Sequence, residues 1–284
     1  MRLLNLILFL LIVIFVGCSD GTDTPHSENQ VNDSVVVITT NYGSIKIKLF
    51  KDTPKHKENF LKLTQSGFYT GTIFHRVVKD FVIQGGDPFS KIPDKKDSVG
   101  GGTPGYNVDA EILPQYFHKR GAVAAARTGD QINPLKKSSG SQFYIVQGRT
   151  YSNEDLDAVE ADIYNRQFQS FAFKFRDLPE NQWIQKIDIE KLQKINPDSL
   201  KRLNDKLTKL LYVNFEKEQK PFQFSKLQRE IYQKLGGAPF LDAQYTVFGE
   251  VVEGLEVVDK IANLETNEAE RPYKPCTMTV KMVE

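Results

Sequence analysis

The chain has 284 residues, a formal net charge of +1, 40% hydrophobic and 26% charged residues. That length suffices for one large domain or two small ones with a real core, and the composition past the first segment is that of an ordinary soluble protein. Balanced charge gives no field suited to nucleic acid or acidic lipid, and two cysteines with four scattered histidines argue against a disulfide framework or a structural metal site.

Met1-Arg2 precede a nearly unbroken apolar run, Leu3 to Val16, and then Gly17-Cys18-Ser19-Asp20. A basic start, an apolar stretch and a small residue before the break form a secretory signal, too short for a comfortable membrane span. Gly17-Cys18 resembles the lipobox of bacterial lipoproteins, in which the cysteine is lipidated and becomes the mature N-terminus; Phe15 is bulkier than the usual residue at its place. The alternative is a signal anchor with an incidental cysteine. The resemblance implies a signal at 1–17, a polar, acidic tether at 18–33, and a membrane-anchored protein of the bacterial cell envelope, on its periplasmic face or surface.

Val35 to Thr39 and Ser44 to Phe50 alternate around Asn41-Tyr42-Gly43, which predicts a hairpin. Thr53-Pro54 predicts a helix start, with threonine as cap, a buried side at Phe60, Leu61 and Leu63, and a stop at Gly67. Gly67 to Asp87 reads as two short strands and a turn. Within it, Arg76 stands two residues after Phe74, so strand alternation places the guanidinium on a face with apolar neighbours. That costs desolvation unless the charge serves a purpose. The loop from Pro88 to Pro114 carries Gly100-Gly101-Gly102, which lacks the strand, helix and lysine of a phosphate-binding loop and reads as a tight loop. Gly121 to Ala126 is a small-residue strand, and Gln142 to Val146 another, entered through a turn at Ser139-Gly140-Ser141.

From Tyr151 to Gly236 the texture turns helical. Ser152 caps a segment with Leu156, Val159, Ile163, Phe171 and Phe175 at helical spacing, interrupted by Gln167. A less regular helix spans Trp183 to Ile195, a third starts at Asn196-Pro197 with Leu200, Leu203, Leu207, Leu210 and Leu211 on one face, and Ser225 with Gln228 makes a capping box for a fourth. Strand signals resume at Tyr245 to Val252, followed by a short helix near Glu256 to Ile261 and a last strand, Thr277 to Val283. This order predicts a mainly β fold, a closed barrel of 34–150 and 237–284 with flanking helices, and an inserted α-helical subdomain at 151–236.

Four motifs in order, G-F-Y-T-G-T-I-F-H-R-V (Gly67 to Val77), F-V-I-Q-G-G-D (Phe81 to Asp87), S-G-S-Q-F-Y-I (Ser139 to Ile145) and F-L-D-A-Q-Y-T-V-F-G-E-V (Phe240 to Val251), resemble those of cyclophilin-type peptidyl-prolyl cis/trans isomerases. The resemblance implies that Arg76 is the catalytic group and that Phe81, Val82, Tyr144, Phe240 and Leu241 line a pocket for proline. It adds Gln84, Ala126, Arg127, Gln142 and Tyr245 to the substrate-binding set. Tyr144 stands where phenylalanine is usual, Arg127 where many members have asparagine, Tyr245 where many have histidine, and Phe240 in place of the tryptophan that matters for cyclosporin binding.

The expected function is therefore isomerisation of X-Pro bonds in exported polypeptides, with no cofactor and no nucleic acid. The competing reading is a peptide-binding or chaperone module of the same fold, whose helical insertion binds a partner protein. Leaving the barrel just after one pocket strand and returning just before Phe240-Leu241, that insertion is expected beside the pocket mouth, as a lid, an extra substrate surface or a docking arm.

Overall fold

Alternating β-branched and polar residues build the strands. The structure, a computed structural model, describes residues 34–92, 94, 98–218 and 220–283; the expected signal, Cys18 and the tether lie outside the described residues. In chain order the strands are β1 (Ser34–Thr40), β2 (Gly43–Leu49), β3 (Thr72–Val78), β4 (Val82–Gly85), β5 (Asn107–Val108), β6 (Ala122–Ala125), β7 (Ser138–Ser139), β8 (Phe143–Val146), β9 (Val247–Glu253) and β10 (Cys276–Met282). Eight of them close an antiparallel barrel in the order β1-β10-β3-β4-β8-β6-β9-β2, and β5 and β7 form a separate ribbon.

Period-two alternation separates two apolar faces. Ile38, Ile47, Phe74, Val77, Ile83, Val123, Phe143, Ile145, Phe248 and Met278 fill one core, joined by Phe60 and Leu63 of α1 (Pro54–Gln65) and Val258 and Ile261 of α6 (Leu255–Ala262). Their sequence neighbours Val82, Ala122, Ala124, Tyr144, Val146 and Val247 point the other way and form a second cluster with Leu241. Alanine at 122, 124 and 126 leaves room on that outer face for the Tyr144 ring and for Leu241.

Two expectations about this region are corrected. Thr53 occupies the cap position of α1 but makes no side-chain cap; its hydroxyl donates to the Phe50 carbonyl, and the Glu111 carboxylate accepts the exposed N–H groups of Lys55 and His56 at 3.1 and 3.0 Å. Arg76 does not share a face with Phe74. The β3–β4 register slips between them, pairing Phe74 with Gly85 and Arg76 with Gln84, so His75 is an extra, bulged residue. The bulge reverses the alternation, leaving Phe74 inside and placing Arg76 with Gln84 on the outer face.

Between β8 and β9 run α2 (Asn153–Asp177), α3 (Ile189–Ile195), α4 (Pro197–Glu218) and α5 (Lys226–Lys234). Capping boxes at Ser152/Asp155 and Ser225/Gln228 open α2 and α5. The less regular second helix divides into 3-10 turns at Pro179–Asn181 and Ile184–Lys186 followed by α3, because Leu178 and Ile187 are extended and Asp188 caps afresh. On α4, Leu210 faces solvent and Phe215, fully buried, packs with Phe171 and Phe175 instead. Gln167 interrupts the α2 stripe with a buried amide oxygen.

The helical segment leaves and re-enters the barrel at one place. Arg149 and Gly237 exchange backbone hydrogen bonds at 3.2 and 2.9 Å, and the Arg120 N–H donates to the Gly236 carbonyl at 3.0 Å. Gly148 adopts φ +69°, and a Cβ there would lie 2.4 Å from the Gly237 backbone. Neither the strain nor the clash can be relieved by a side-chain rotation. Gly148→Ala is expected to destabilise the fold by about 2–4 kcal/mol, measured as a lowered urea midpoint at unchanged slope.

Candidate active site

Four strand residues and five from turns and loops line one depression of about 230 Å³: Arg76, Val82, Gln84 and Tyr144 with Phe81, Ala126, Arg127, Leu241 and Tyr245. Val82, Gln84 and Tyr144 come from the outer faces of β4 and β8, which pair Gln84 with Tyr144 and Val82 with Val146. Phe81 precedes β4 in a turn that puts Asp80 at φ +61°, and its carbonyl accepts the N–H groups of Gln147 and Gly148, both at 2.9 Å. Leu241 ends a 3-10 turn opening with Pro239. Two of the expected residues lie just outside. Phe240 packs its ring against Phe81 at 5.3 Å between centroids, and Gln142 lines a neighbouring depression of about 400 Å³ with Gly100, Gly102 and Lys137.

The Arg76 guanidinium is oriented from its back. Its Nε donates to the Glu270 carboxylate at 2.6 Å, its centre sits 5.7 Å from the Phe81 ring, and its Nη groups have no hydrogen-bond partner among the described residues. Glu270 in turn is held at φ +58° in the loop before β10, where its carbonyl accepts the Val77 N–H at 2.8 Å. A rigid cation with its two terminal nitrogens uncommitted, at the edge of an apolar hollow, suits recognition of a carbonyl or an amide nitrogen. Nothing in the spacing of the sequence links Arg76 to Glu270, 194 positions away.

Arg127 plays a different part from Arg76. Its side chain is 5% exposed, donates to the carbonyls of Gln244 and Thr128, pairs with Asp130 and covers the Tyr245 ring at 4.6 Å. The guanidinium is thus consumed in bracing Tyr245. Next to it, the Ala126 N–H donates to the Gln142 carbonyl at 3.0 Å and its C=O accepts from the Ser139 N–H at 2.8 Å.

Buried polar groups shape the surroundings. Asp87, which ends the stretch that reads as two strands and a turn, is fully buried and accepts the N–H groups of Phe89, Gly100 and Gly102, pinning the glycine loop. Gln142 completes that clamp by donating to the carbonyls of Gly100 and Gly102 while accepting from Gln84 at 3.1 Å. Tyr144 carries the hydroxyl that the sequence places near the pocket. It is turned away, 3.0 Å from His118 Nε2, so the pocket meets only the ring. Burial pushes the Cys276 thiol up to about 12, which leaves it inert.

A family model described as "Cyclophilin type peptidyl-prolyl cis-trans isomerase/CLD" matches residues 35–172 and 177–282. A Staphylococcus epidermidis protein named as a peptidyl-prolyl cis-trans isomerase is 29% identical over 249 residues, covering 87% of this chain and 90% of that one. A similarly named Staphylococcus aureus protein is 27% identical over 248 residues, with 87% and 90% covered. Among solved structures, a Cryptosporidium parvum cyclophilin-type isomerase superposes with a TM-score of 0.52 at 21% identity, over 89% of this chain and 99% of that one. Its crystal structure in the presence of the dipeptide Ala-Pro gives 0.51 at 21% identity, over 88% and 99%.

His75, the bulged residue, is 4% exposed, and neither ring nitrogen has a side-chain hydrogen-bond partner among the described residues. Burial lowers its pKa from 6.5 to about 4; the nearby Asp87 carboxylate opposes that shift and the Arg271 and Arg76 cations reinforce it. The unfolded chain therefore binds a proton that the folded chain refuses. The resulting stabilisation, up to about 3 kcal/mol, is complete above the unfolded value of 6.5 and is lost as pH falls toward 4. Denaturation from pH 7 to 4 should show this slope in the wild type and a shallower one in His75→Gln.

Proposed function

Because the chain belongs to the cyclophilin-type peptidyl-prolyl cis-trans isomerase family, and so is an isomerase of X-Pro bonds, we propose that Arg76 beside the apolar hollow is its catalytic group. The reaction needs neither a nucleophile nor a proton transfer. It needs the X-Pro amide to lose planarity against a barrier of about 18–20 kcal/mol. The site gains rate only by binding the twisted amide better than either planar isomer. As the bond twists, the proline nitrogen becomes pyramidal and regains a lone pair. Glu270 holds the guanidinium at Nε, and an Nη, uncommitted among the described residues, donates to that lone pair.

The hollow supplies the grip. Phe81, Val82, Tyr144 and Leu241 offer ring faces and branched carbon to a pyrrolidine, and Gln84 stands at the edge as a polar contact for the peptide. The Ala-Pro dipeptide present with the Cryptosporidium parvum structure favours proline-containing peptides as the substrate class. Magnitudes divide the work. A millionfold gain requires about 8 kcal/mol, while one charge-assisted hydrogen bond contributes roughly 1.5–3 kcal/mol. The remainder falls to orientation of the ring and exclusion of water.

The clients we propose are exported polypeptides, folding at the outer side of a bacterial membrane to which the enzyme is tied through lipidated Cys18. The apolar run from Leu3 to Val16 and the Gly17-Cys18-Ser19 junction support this reading. A second role, holding unfolded chains on the helical segment, is favoured by one observation. Phe173 is 63% and Trp183 44% exposed, and Phe173 borders an apolar groove of about 280 Å³ lined by Ala172, Ile184, Leu207 and Leu211.

In a protease-coupled assay with a proline peptide, Arg76→Ala should lose about 100-fold or more in kcat/KM, and Arg76→Lys should retain an intermediate rate. Equal rates in wild type and Arg76→Ala would remove the arginine from the mechanism. Glu270→Gln, which keeps the shape but weakens the hold on Nε, is expected to lower kcat by about 3–10-fold at nearly constant KM. Cys18→Ala should move the protein from the membrane to the soluble fraction, and continued membrane association would count against lipidation.

A further inference from the structure

A buried chain of hydrogen bonds runs from the helical segment into the pocket floor. Tyr232, on α5 and fully buried, donates its hydroxyl to Asp242 Oδ2 at 2.6 Å. Asp242 follows the pocket residue Leu241 directly, and its Oδ1 accepts both the His118 backbone N–H at 2.8 Å and the ring Nδ1–H at 2.7 Å. A carboxylate oxygen only accepts, so Nδ1 carries a ring proton, and in the neutral imidazole Nε2 then accepts from the Tyr144 hydroxyl at 3.0 Å. Tyr232, Asp242, His118 and Tyr144 are at most 4% exposed, so these bonds compete with no bulk water. Burial beside the Asp242 charge also raises the Tyr232 phenol well above its ordinary range, which keeps it a donor.

We propose that this relay makes Tyr232 a positioning residue for the pocket. It fixes Asp242, Asp242 fixes the tautomer and angle of His118, and His118 draws the Tyr144 hydroxyl out of the hollow so that only the ring faces the substrate. The proposal rests on the reading of that hollow as the proline site. Three ring contacts show how closely the orientation is defined. His118 stacks on Tyr144 at 6.0 Å and 16°, while Tyr245 meets both rings edge-on at 6.3 and 5.9 Å. A second tie arrives independently from α2, where Arg166 donates to the carbonyl of Phe240 at 2.9 Å on the same pocket wall. The helices between β8 and β9 therefore act on substrate affinity, while Arg76 on β3 lies outside the relay. Without the Tyr232 hydroxyl, Oδ2 loses its one donor among the described residues, His118 is free to turn, and the phenol of Tyr144 can swing into the space meant for an uncharged ring.

The test uses the full chain and steady-state isomerisation of a proline peptide by wild type, Tyr232→Phe, Tyr144→Phe and the double variant. Tyr232→Phe should raise KM about 3–10-fold with kcat within about twofold, and in the Tyr144→Phe background, where no hydroxyl remains to be held, the same change should move KM by less than about 1.5-fold. An unchanged KM in Tyr232→Phe, or an equal rise in both backgrounds, would overturn the relay. Proton NMR of the His118 Nδ1–H gives a readout independent of turnover: its resonance should shift in Tyr232→Phe, and a resonance left in place also overturns the proposal. Were the wild type itself inactive while that shift appeared, the relay would stand and the proline reading of the pocket would fall. Asp242→Asn takes the place of Tyr232→Phe, with the same expectations, if the latter does not fold.

Discussion

One slipped register decides where the charge of Arg76 can be. Without the bulge at His75, β3 would alternate from Phe74 straight to Arg76, and the guanidinium would be directed at the core that holds Phe60 and Phe143. Burying it there would cost several kcal/mol. The extra residue sends the cation outward to the rim of the hollow and buries a neutral imidazole in its place. Bulges often re-aim a side chain beside a site, and here the re-aimed group is the one on which the chemistry depends.

Three buried or half-buried carboxylates hold the surrounding loops, mostly by serving backbone donors. Asp87 collects Phe89, Gly100 and Gly102; Glu111 collects the first free N–H groups of α1; Asp242 collects His118 and the Tyr232 hydroxyl. Each anion lacks full hydration and is stabilised instead by fixed donors, which makes its loop costly to displace. Much of the pocket wall is not strand, and Asp242 is one of the groups that tie it to the barrel.

Most barrel strands were legible in the sequence because alternation is a local signal, though the face of Arg76 was not, and the capping boxes at Ser152 and Ser225 were legible because they span four residues. The residues singled out beforehand fall mostly around one hollow, since motif order carried them there. What could not be read was set by partners far along the chain. The bulge depends on β4, the cap of α1 on Glu111, and the grip on Arg76 on a loop 194 residues downstream. Tyr144 shows the difference well. Its identity announced a hydroxyl at the pocket, and only the packing of His118 reveals that the hydroxyl faces elsewhere.

The stitched junction at Arg149 and Gly237 bears on the order of folding. These neighbours are separated by residues 150–236, and closing a flexible loop of that length costs about 4 kcal/mol in chain entropy. Strands β6 and β8 pair before the segment is reached, while β9 and β10, which follow it, must find β2, β6, β1 and β3, so four seams of the barrel wait on that closure. Local helical contacts form faster than distant strand pairs. A segment that has already condensed around Leu156 and Tyr232 delivers its two ends close together, and so serves the nascent sheet as a clasp.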